Sequence, residues 1–348
     1  MIPIQNIYYM LTYAFKTLNQ SGYKRLATEE FENTADLFAA ILIKGISIQI
    51  KRGLGREYIL QTSELSSIRG KIDIGQSIKT QSLVRKKLMC NYDEFSLDNN
   101  MNRIIKATIH LLTKSDISKS RKKELRKILL YFSDVSRIDV FRIKLDFTYN
   151  RNNQNYRMLI SICYLTVKGL LQTNKNGTCK LMDFLDEQRM SRLYEKFILE
   201  YYKKHFPSLL PNASQILWAL DDGLDDMLPI MQTDIQLQKG NTVLIIDAKY
   251  YTKNTQVYYG KHTIHSNNLY QIFTYVKNRE YQFEGRDKQV SGLILYAKTD
   301  EIISPDYDYQ MHGNKISVKT LALNGTFDKI SYQLDNIALN CFEDIKKV

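Results

Sequence analysis

The sequence predicts an α/β protein in which a C-terminal mixed sheet flanked by helices follows an N-terminal domain of mixed α+β character. Two patterns lead there. In the second half, helical periodicity alternates with short β-branched runs: a helix at 187–205, strands at 228–238 and 242–251, a helix at 267–280 and a strand at 292–297. In the first half, helical segments dominate around one alternating stretch. The 348 residues leave room for two ordinary domains. The low-charge segment 172–178, with Asn174, Asn176 and Gly177, reads as a loop between them. The expected domains are therefore 1–180 and 181–348.

Taken in order, Ile4 to Phe15 repeats apolar residues at helical spacing and reads as a short buried helix. A second helix is expected over Thr34–Lys51, with Gly53 and Gly55 ending it and opening a β-rich stretch. From Tyr58 to Ile74 apolar and polar residues alternate around a turn at Gly70, where Arg69 and Lys71 form a basic loop. Asn100–Leu130 is helical in character, and six of the nine residues in 119–127 are basic. That run is either a solvated helix face or a surface for nucleic acid or an acidic partner. Tyr156–Leu171 is another apolar helix.

Hydrophobic residues at 44% and charged residues at 25% exclude bulk disorder, and no internal repeat is present. Lys and Arg number 49 against 37 Asp and Glu, a net charge of +12 that favours a polyanionic partner. Cys90, Cys163, Cys179 and Cys341 form no CxxC pair and the five histidines supply no zinc spacing, so reduced thiols are expected. The N-terminus lacks the pattern of an export signal and no apolar run is long enough for a bilayer. A cytoplasmic protein with no membrane partner is the expectation.

The chemistry concentrates in two strands. Pro229 to Ile235 carries Asp234, and Val243 to Tyr250 carries Asp247-Ala248-Lys249. Residues i and i+2 of a strand share a face, so Asp247 and Lys249 enter one cleft while Ala248 turns into packing against a helix. Asp234 joins them if the hairpin closes. Carboxylates without Cys or His favour a hard divalent ion, Mg²⁺ or alternatively Mn²⁺, with the Ala248 carbonyl as a candidate extra ligand. Such an ion activates water and stabilises a departing 3′ oxygen. Lys249 beside two acids is expected to stay charged and to stabilise the transition state. On the 187–205 helix, Leu193, Phe197 and Tyr201 form an apolar face, and Glu195 either reaches the metal site or is an exposed salt-bridging residue. On the 267–280 helix, Gln271 and Tyr275 stand four apart, to touch DNA phosphate, hold the site or simply pack. A bland alternative makes Asp234, Asp247 and Lys249 surface residues of two amphipathic strands. His262 and His265 lack further soft ligands, and Trp218 reads as core or interface packing.

Asp234, Asp247-Ala248-Lys249, Glu195 and the Gln271-x-x-x-Tyr275 helix together resemble the PD-(D/E)xK nuclease superfamily, with the departure that Pro229 lies five residues before the first acid. A longer resemblance is to the McrC family of nuclease subunits of McrBC modification-dependent restriction systems. Its motifs run in order along nearly the whole chain: Ile4 to Ala14, Ile68-Arg69-Gly70-Lys71-Ile72, Asn102-Arg103-Ile104-Ile105-Lys106, Leu228 to Asp234, Ile246 to Tyr251 and His265 to Gln271.

This resemblance implies a C-terminal PD-(D/E)xK-type sheet that cleaves double-stranded DNA with Mg²⁺. It further implies an N-terminal half that docks on an McrB-like AAA+ GTPase ring and stimulates it. The partner reads methylated cytosine and binds the GTP, and this sequence contains no G-x(4)-G-K-[ST] phosphate loop. Asp234, Asp247, Glu195 and the Ala248 carbonyl would hold metal, with Lys249 and Gln271 completing the catalytic set. The 58–74 region would belong to the projection that enters the ring, with Arg52, Arg56, Arg69 and Lys71 as undistinguished candidates for partner contact, while 119–127 would approach DNA. Two alternatives stand: a non-catalytic activator or assembly subunit of an NTPase–DNA complex, and a standalone repair-type nuclease.

Overall fold

A computed structural model describes residues 2–348 apart from 16–17, 19–22, 24–25, 27–28, 140–146, 151–152, 154, 172–186, 224, 252–253, 259–260, 284–287 and 299–303, and apart from the side chains of 168–171, 187–189, 257–258 and 261. The expected interdomain loop 172–178 and Cys179 lie outside the described residues. The chain divides into two compact units, Met1–Thr28 with Phe184–Val348, and Glu29–Asp183. The first helix, α1 (Ile4–Ala14), thus belongs with the second half of the chain, whereas the sequence grouped it with the first. Its Asn6 Nδ2 donates to the carbonyls of Leu323 and Gly325, both at 2.7 Å. Its Tyr13 ring packs on Phe197 and Tyr201.

The unit 29–183 begins with α2 (Thr34–Arg52), whose N-cap Asn33 accepts the Asp36 N–H at 2.9 Å. Leu37, Phe38, Ile41 and Leu42 of α2 are fully buried, and the helix stops at Gly53. Then come β1 (Glu57–Leu65), β2 (Lys71–Ile72), α3 (Ile74–Lys79) and β3 (Leu88–Ser96). The sheet order is β1-β3-β2, so the strands on either side of Gly70 do not pair with each other. Both pair with β3, which the sequence did not reveal because LMCNYDEFS lacks a clean alternation. Gly70 has φ +69°, and a Cβ there would lie 2.3 Å from the Asn91 carbonyl oxygen, so only glycine fits. Arg69 stacks over Tyr92 at 4.2 Å.

The 100–130 stretch is two helices, α4 (Asn100–Lys114) and α5 (Lys119–Leu129), followed by α6 (Tyr156–Leu171). Ser118 caps α5 and so separates it from α4 within a stretch that is helical as expected. The Asn102–Lys106 motif ties the unit together. Asn102 Nδ2 donates to the carbonyls of Gly55 and Leu97, and its Oδ1 accepts from Tyr156. Arg103 pairs with Asp98 at 2.7 Å, and Lys106 Nζ donates to the carbonyls of Phe132 and Val135.

The other unit continues with α7 (Glu187–His205), the short pair β4 (Gln215–Ile216) and β5 (Met231–Gln232), β6 (Ile235–Lys239), β7 (Thr242–Lys249), the hairpin β8 (Thr255–Tyr258) and β9 (Lys261–Ile264), α8 (Ser266–Tyr281), β10 (Gln289–Ala297), β11 (Tyr307–Met311), β12 (Asn314–Leu321) and α9 (Phe327–Cys341). Five strands form a mixed sheet of order β11-β12-β10-β7-β6, parallel at its centre and antiparallel at both edges. The central strands are the apolar runs VLIIDA and GLILYA, as burial on both faces requires. Ile272 and Val276 of α8 pack on Val243 and Ile245. A Cβ on Gly292 would come within 2.7 Å of Ile272, so the glycine lets α8 lie close to the sheet. On the opposite face, α7 and α9 are joined by Tyr202 OH donating to the Leu334 carbonyl at 3.0 Å. Beyond residue 297 the sequence pattern predicts no element, whereas the structure adds β11, β12 and α9. Cys90, Cys163 and Cys341 are free thiols, and no helix among the described residues is long and apolar enough to cross a membrane.

Candidate active site beside the central strands

The antiparallel register sets Ile235 opposite Ile246, so one step further along places Asp234 opposite Asp247. Asp234 sits in the break between β5 and β6, where its Oδ2 accepts the Ala248 N–H at 2.9 Å. On β7 the alternation puts Val243, Ile245, Asp247 and Lys249 in one row. The first two lie under α8 and the row ends in the acid and the amine, while Ala248 is fully buried on the other side. Asp247 is 1% exposed and is therefore no surface residue.

Lys249 Nζ lies 2.9 Å from Asp247 Oδ1 and donates to Gln271 Oε1 at 3.1 Å. Gln271 Nε2 donates to Tyr275 OH at 3.0 Å, and that hydroxyl donates to the Gln232 carbonyl at 3.2 Å. The Gln271–Tyr275 pair thus latches Lys249 to α8 and to the strand before Asp234. Behind it, Tyr251 donates to Asn268 Oδ1, and Asn268 Nδ2 donates to Tyr296 OH at 2.8 Å. Nothing in the sequence marks Asn268 and Tyr296 as site neighbours. Tyr296 stands beside Lys249 only through the parallel register of β10, which no local spacing encodes.

Glu195 accepts a hydrogen bond from Ser191, one turn earlier on α7, at 2.9 Å. Its charge nevertheless reaches both aspartates. Burial, Asp247 and Glu195 push the Asp234 carboxyl up to about 8, against the opposing pull of Lys249 and the Ala248 N–H. Asp247 is also raised, chiefly by burial, although Lys249 draws it back. Burial works against the Lys249 charge, but Asp247 and Asp234 outweigh it and hold the ammonium above its ordinary range. Near neutral pH the pair of acids therefore retains a proton while Lys249 is charged.

Among the described residues no group of three or more His, Cys, Asp or Glu forms a metal cluster, so Glu195 is not gathered with the two aspartates. The pair itself fits a hard cation. Asp247 Oδ2 is buried without a hydrogen-bond partner, and two crowded carboxylates gain from a positive charge between them. Elsewhere, His262 bonds Thr255 at 2.9 Å, His265 edges the Tyr251 ring, and partly buried Trp218 donates to the Pro229 carbonyl.

Residues 5–291 match the model of a family described as McrBC 5-methylcytosine restriction system component. The chain belongs to that family. The McrBC match spans Glu195, Asp234, Asp247, Lys249 and Gln271, and ends within β10. A relative at 28% identity over 344 residues, 97% of each chain, is the type IV methyl-directed restriction enzyme EcoKMcrBC of Escherichia coli K12. Two solved structures from Thermococcus gammatolerans are also similar. One is the half-complex of McrB AAA+ hexamers with bound McrC, at 18% identity and TM-score 0.48, covering 96% of this chain and 76% of that one. The other is the cryo-EM McrBC complex, at 20% identity and TM-score 0.41, covering 57% of each.

Proposed function

We propose that this McrBC-family chain is the McrC-like, DNA-cleaving subunit of a 5-methylcytosine-directed restriction complex. Its partners are an AAA+ GTPase ring, which binds GTP and reads the modified base, and double-stranded DNA. The observation that carries the reading is the buried pair Asp234 and Asp247 with Lys249 clamped between Asp247 and Gln271. The near-full-length likeness to a methyl-directed restriction enzyme supports the substrate.

On this reading the sheet unit is a PD-(D/E)xK-type nuclease, and Asp234, Asp247 and the Ala248 carbonyl hold Mg²⁺, or alternatively Mn²⁺. The ion supplies charge neutralisation and a lowered water pKa. Lys249 stays protonated and faces the negative charge that builds on phosphorus as water adds and the bond to the 3′ oxygen breaks. Gln271 and Tyr275 fix the direction of that ammonium. Glu195 acts through its charge, keeping proton affinity high at the pair.

Ring docking falls to the unit 29–183. Its β1–β3 projection exposes Tyr58 at 74%, Leu60 at 68% and Phe95 at 52%, with the Tyr58 and Phe95 rings 5.0 Å apart. Apolar side chains held in water on a small sheet suit an interface core. A second reading, a non-catalytic activator that stimulates the GTPase and binds DNA, draws on the Ser191–Glu195 bond and on the lack, among the described residues, of a group of three acids or histidines that could hold a metal.

The test is cleavage of methylated and unmethylated plasmid with Mg²⁺ and GTP, with and without the ring partner, for wild type and Asp247→Ala. The nuclease reading expects cleavage that requires methylation, partner and Asp247. Wild-type-like cleavage by the variant sinks it, and intact GTPase stimulation with no cleavage by the wild type selects the activator.

A further inference from the structure

Within the unit 29–183, α4 sets Lys106, His110 and Lys114 four residues apart, on one face of the helix. With Ala107, Leu111, Arg137 and Ile138 they line a cavity of about 300 Å³. No carboxylate is among the lining residues, and neither Lys114 nor Arg137 has an ion-pair partner among the described residues. Lys106 spends two of its N–H groups on the carbonyls of Phe132 and Val135, at 2.7 and 2.5 Å. Those bonds pin the segment that carries Arg137 against α4, and they leave one ammonium proton for a ligand.

The electrostatics agree with the geometry. The His110 imidazole is held below its ordinary value by burial and then by Arg137, Lys106 and Lys114, which places all three cations within range of one ring. Gathering cations with no acid between them costs free energy that a bound anion offsets. The charge of the whole unit points the same way. Residues 29–183 carry 27 Lys and Arg against 16 Asp and Glu, eleven of the chain's twelve excess positive charges. On α5, Arg121 is engaged by Asp36 and Glu29, whereas Lys123, Arg126 and Lys127 are exposed.

We propose that this cavity seats a backbone phosphate of duplex DNA, with Arg137 and Lys114 as the charged arms, Lys106 as the fixed base and His110 as an N–H donor. It rests on the reading that the chain acts on DNA, and it assigns a contact that the acid pair does not contain. A guanidinium fork and ammonium groups match the tetrahedral oxygens of a phosphodiester. A polyanion is favoured over a single small anion because the positive charge extends past the cavity along α5.

The test measures binding of unmethylated duplex DNA to the full chain, without metal or partner, by fluorescence anisotropy over a range of salt. Lys114→Gln with Arg137→Gln is compared with Lys79→Gln and Lys87→Gln, exposed lysines of the same unit; Lys106 is left intact because it holds backbone. The cavity variant should lose about tenfold in affinity at low salt, and its slope of log K against log salt should shrink by about one phosphate contact, roughly 0.9, while the control pair keeps the wild-type slope. Equal slopes for the two double variants, or no measurable DNA binding by wild type at low salt, overturn the assignment. A cavity variant that loses titratable binding of inorganic phosphate or GTP but keeps the DNA slope also overturns it, in favour of a free anion. The nuclease reading is tested by cleavage in the complex and the phosphate seat by the salt slope of the chain without metal or partner, so the two failures are seen in different assays.

Discussion

In the sheet unit, Asp234, Asp247 and Lys249 are drawn out of water onto one spot, where each carboxyl feels the other and the Asp234 pKa climbs to about 8. In the unit 29–183 Asp36 and Arg121 pair out of water, but Lys114, Arg137 and the outer side of α5 are exposed, as are apolar Tyr58, Leu60 and Phe95. The contrast teaches what each unit is able to do. Buried charges depend on their immediate partners, so losing one leaves the next unpaired and the effect is large and non-additive. Exposed charges act through a screened field, so their effects are small, additive and sensitive to salt.

The strongest break of this comparison is Lys249→Ala. It should cut cleavage by the complex about 10²–10³-fold, with GTPase stimulation by the same preparation unchanged. Lys249→Arg should not restore cleavage, because a planar fork cannot take the place of an ammonium held between Asp247 and Gln271. The mirror-image variant is Tyr58→Ser with Leu60→Ser. GTP turnover should lose roughly tenfold or more of its stimulation, while melting stays at the wild-type temperature because neither side chain is buried.

A third variant sharpens what burial means. Asp234 in the folded chain keeps a proton that the unfolded chain has released, so the metal-free fold loses stability as pH rises from the ordinary carboxylate range to about 8. Asp234→Asn removes that loss. It should abolish cleavage yet raise the melting temperature of metal-free protein at pH 8 by several degrees, with little change at pH 4. Scanning calorimetry at the two pH values decides it, and a lowered melting temperature at pH 8 contradicts the buried-acid account. The smallest effect is expected for Gln271→Leu, which frees Lys249 from α8 but leaves its bond to Asp247. Steady-state cleavage should show kcat reduced by about three- to tenfold at unchanged KM.

Much of the local geometry follows from spacing. The Asp247-x-Lys249 pair lies on one face because strand side chains alternate, and Gln271 and Tyr275 touch because helix residues four apart are neighbours. The Ser191–Glu195 bond obeys the same four-residue rule, and that spacing was the available sign that Glu195 has a partner on its own helix. The partner of Gln271 was not visible. Helical spacing alone is compatible with metal site, DNA or packing, and the side chain that Gln271 meets once α8 packs on the sheet is Lys249. Likewise Gly70 marks a turn in sequence, but the reason it must be glycine is the Asn91 carbonyl of β3, a strand whose own pattern is silent.

By itself the sequence determined the helices α1, α2 and α4 to α8, the strands β1, β6, β7 and β10, and which residues share a face. Those properties depend on the φ and ψ preferences and hydrophobic period of a few neighbouring residues. Only the tertiary structure decided that β1 and β2 meet through β3, that α1 packs with the sheet unit, and that Asp234 stands beside Asp247. Each of those depends on a register or a packing between residues far apart in the chain, chosen by the burial of whole faces, and a one-residue slip would have sent Asp247 to the other side of the sheet.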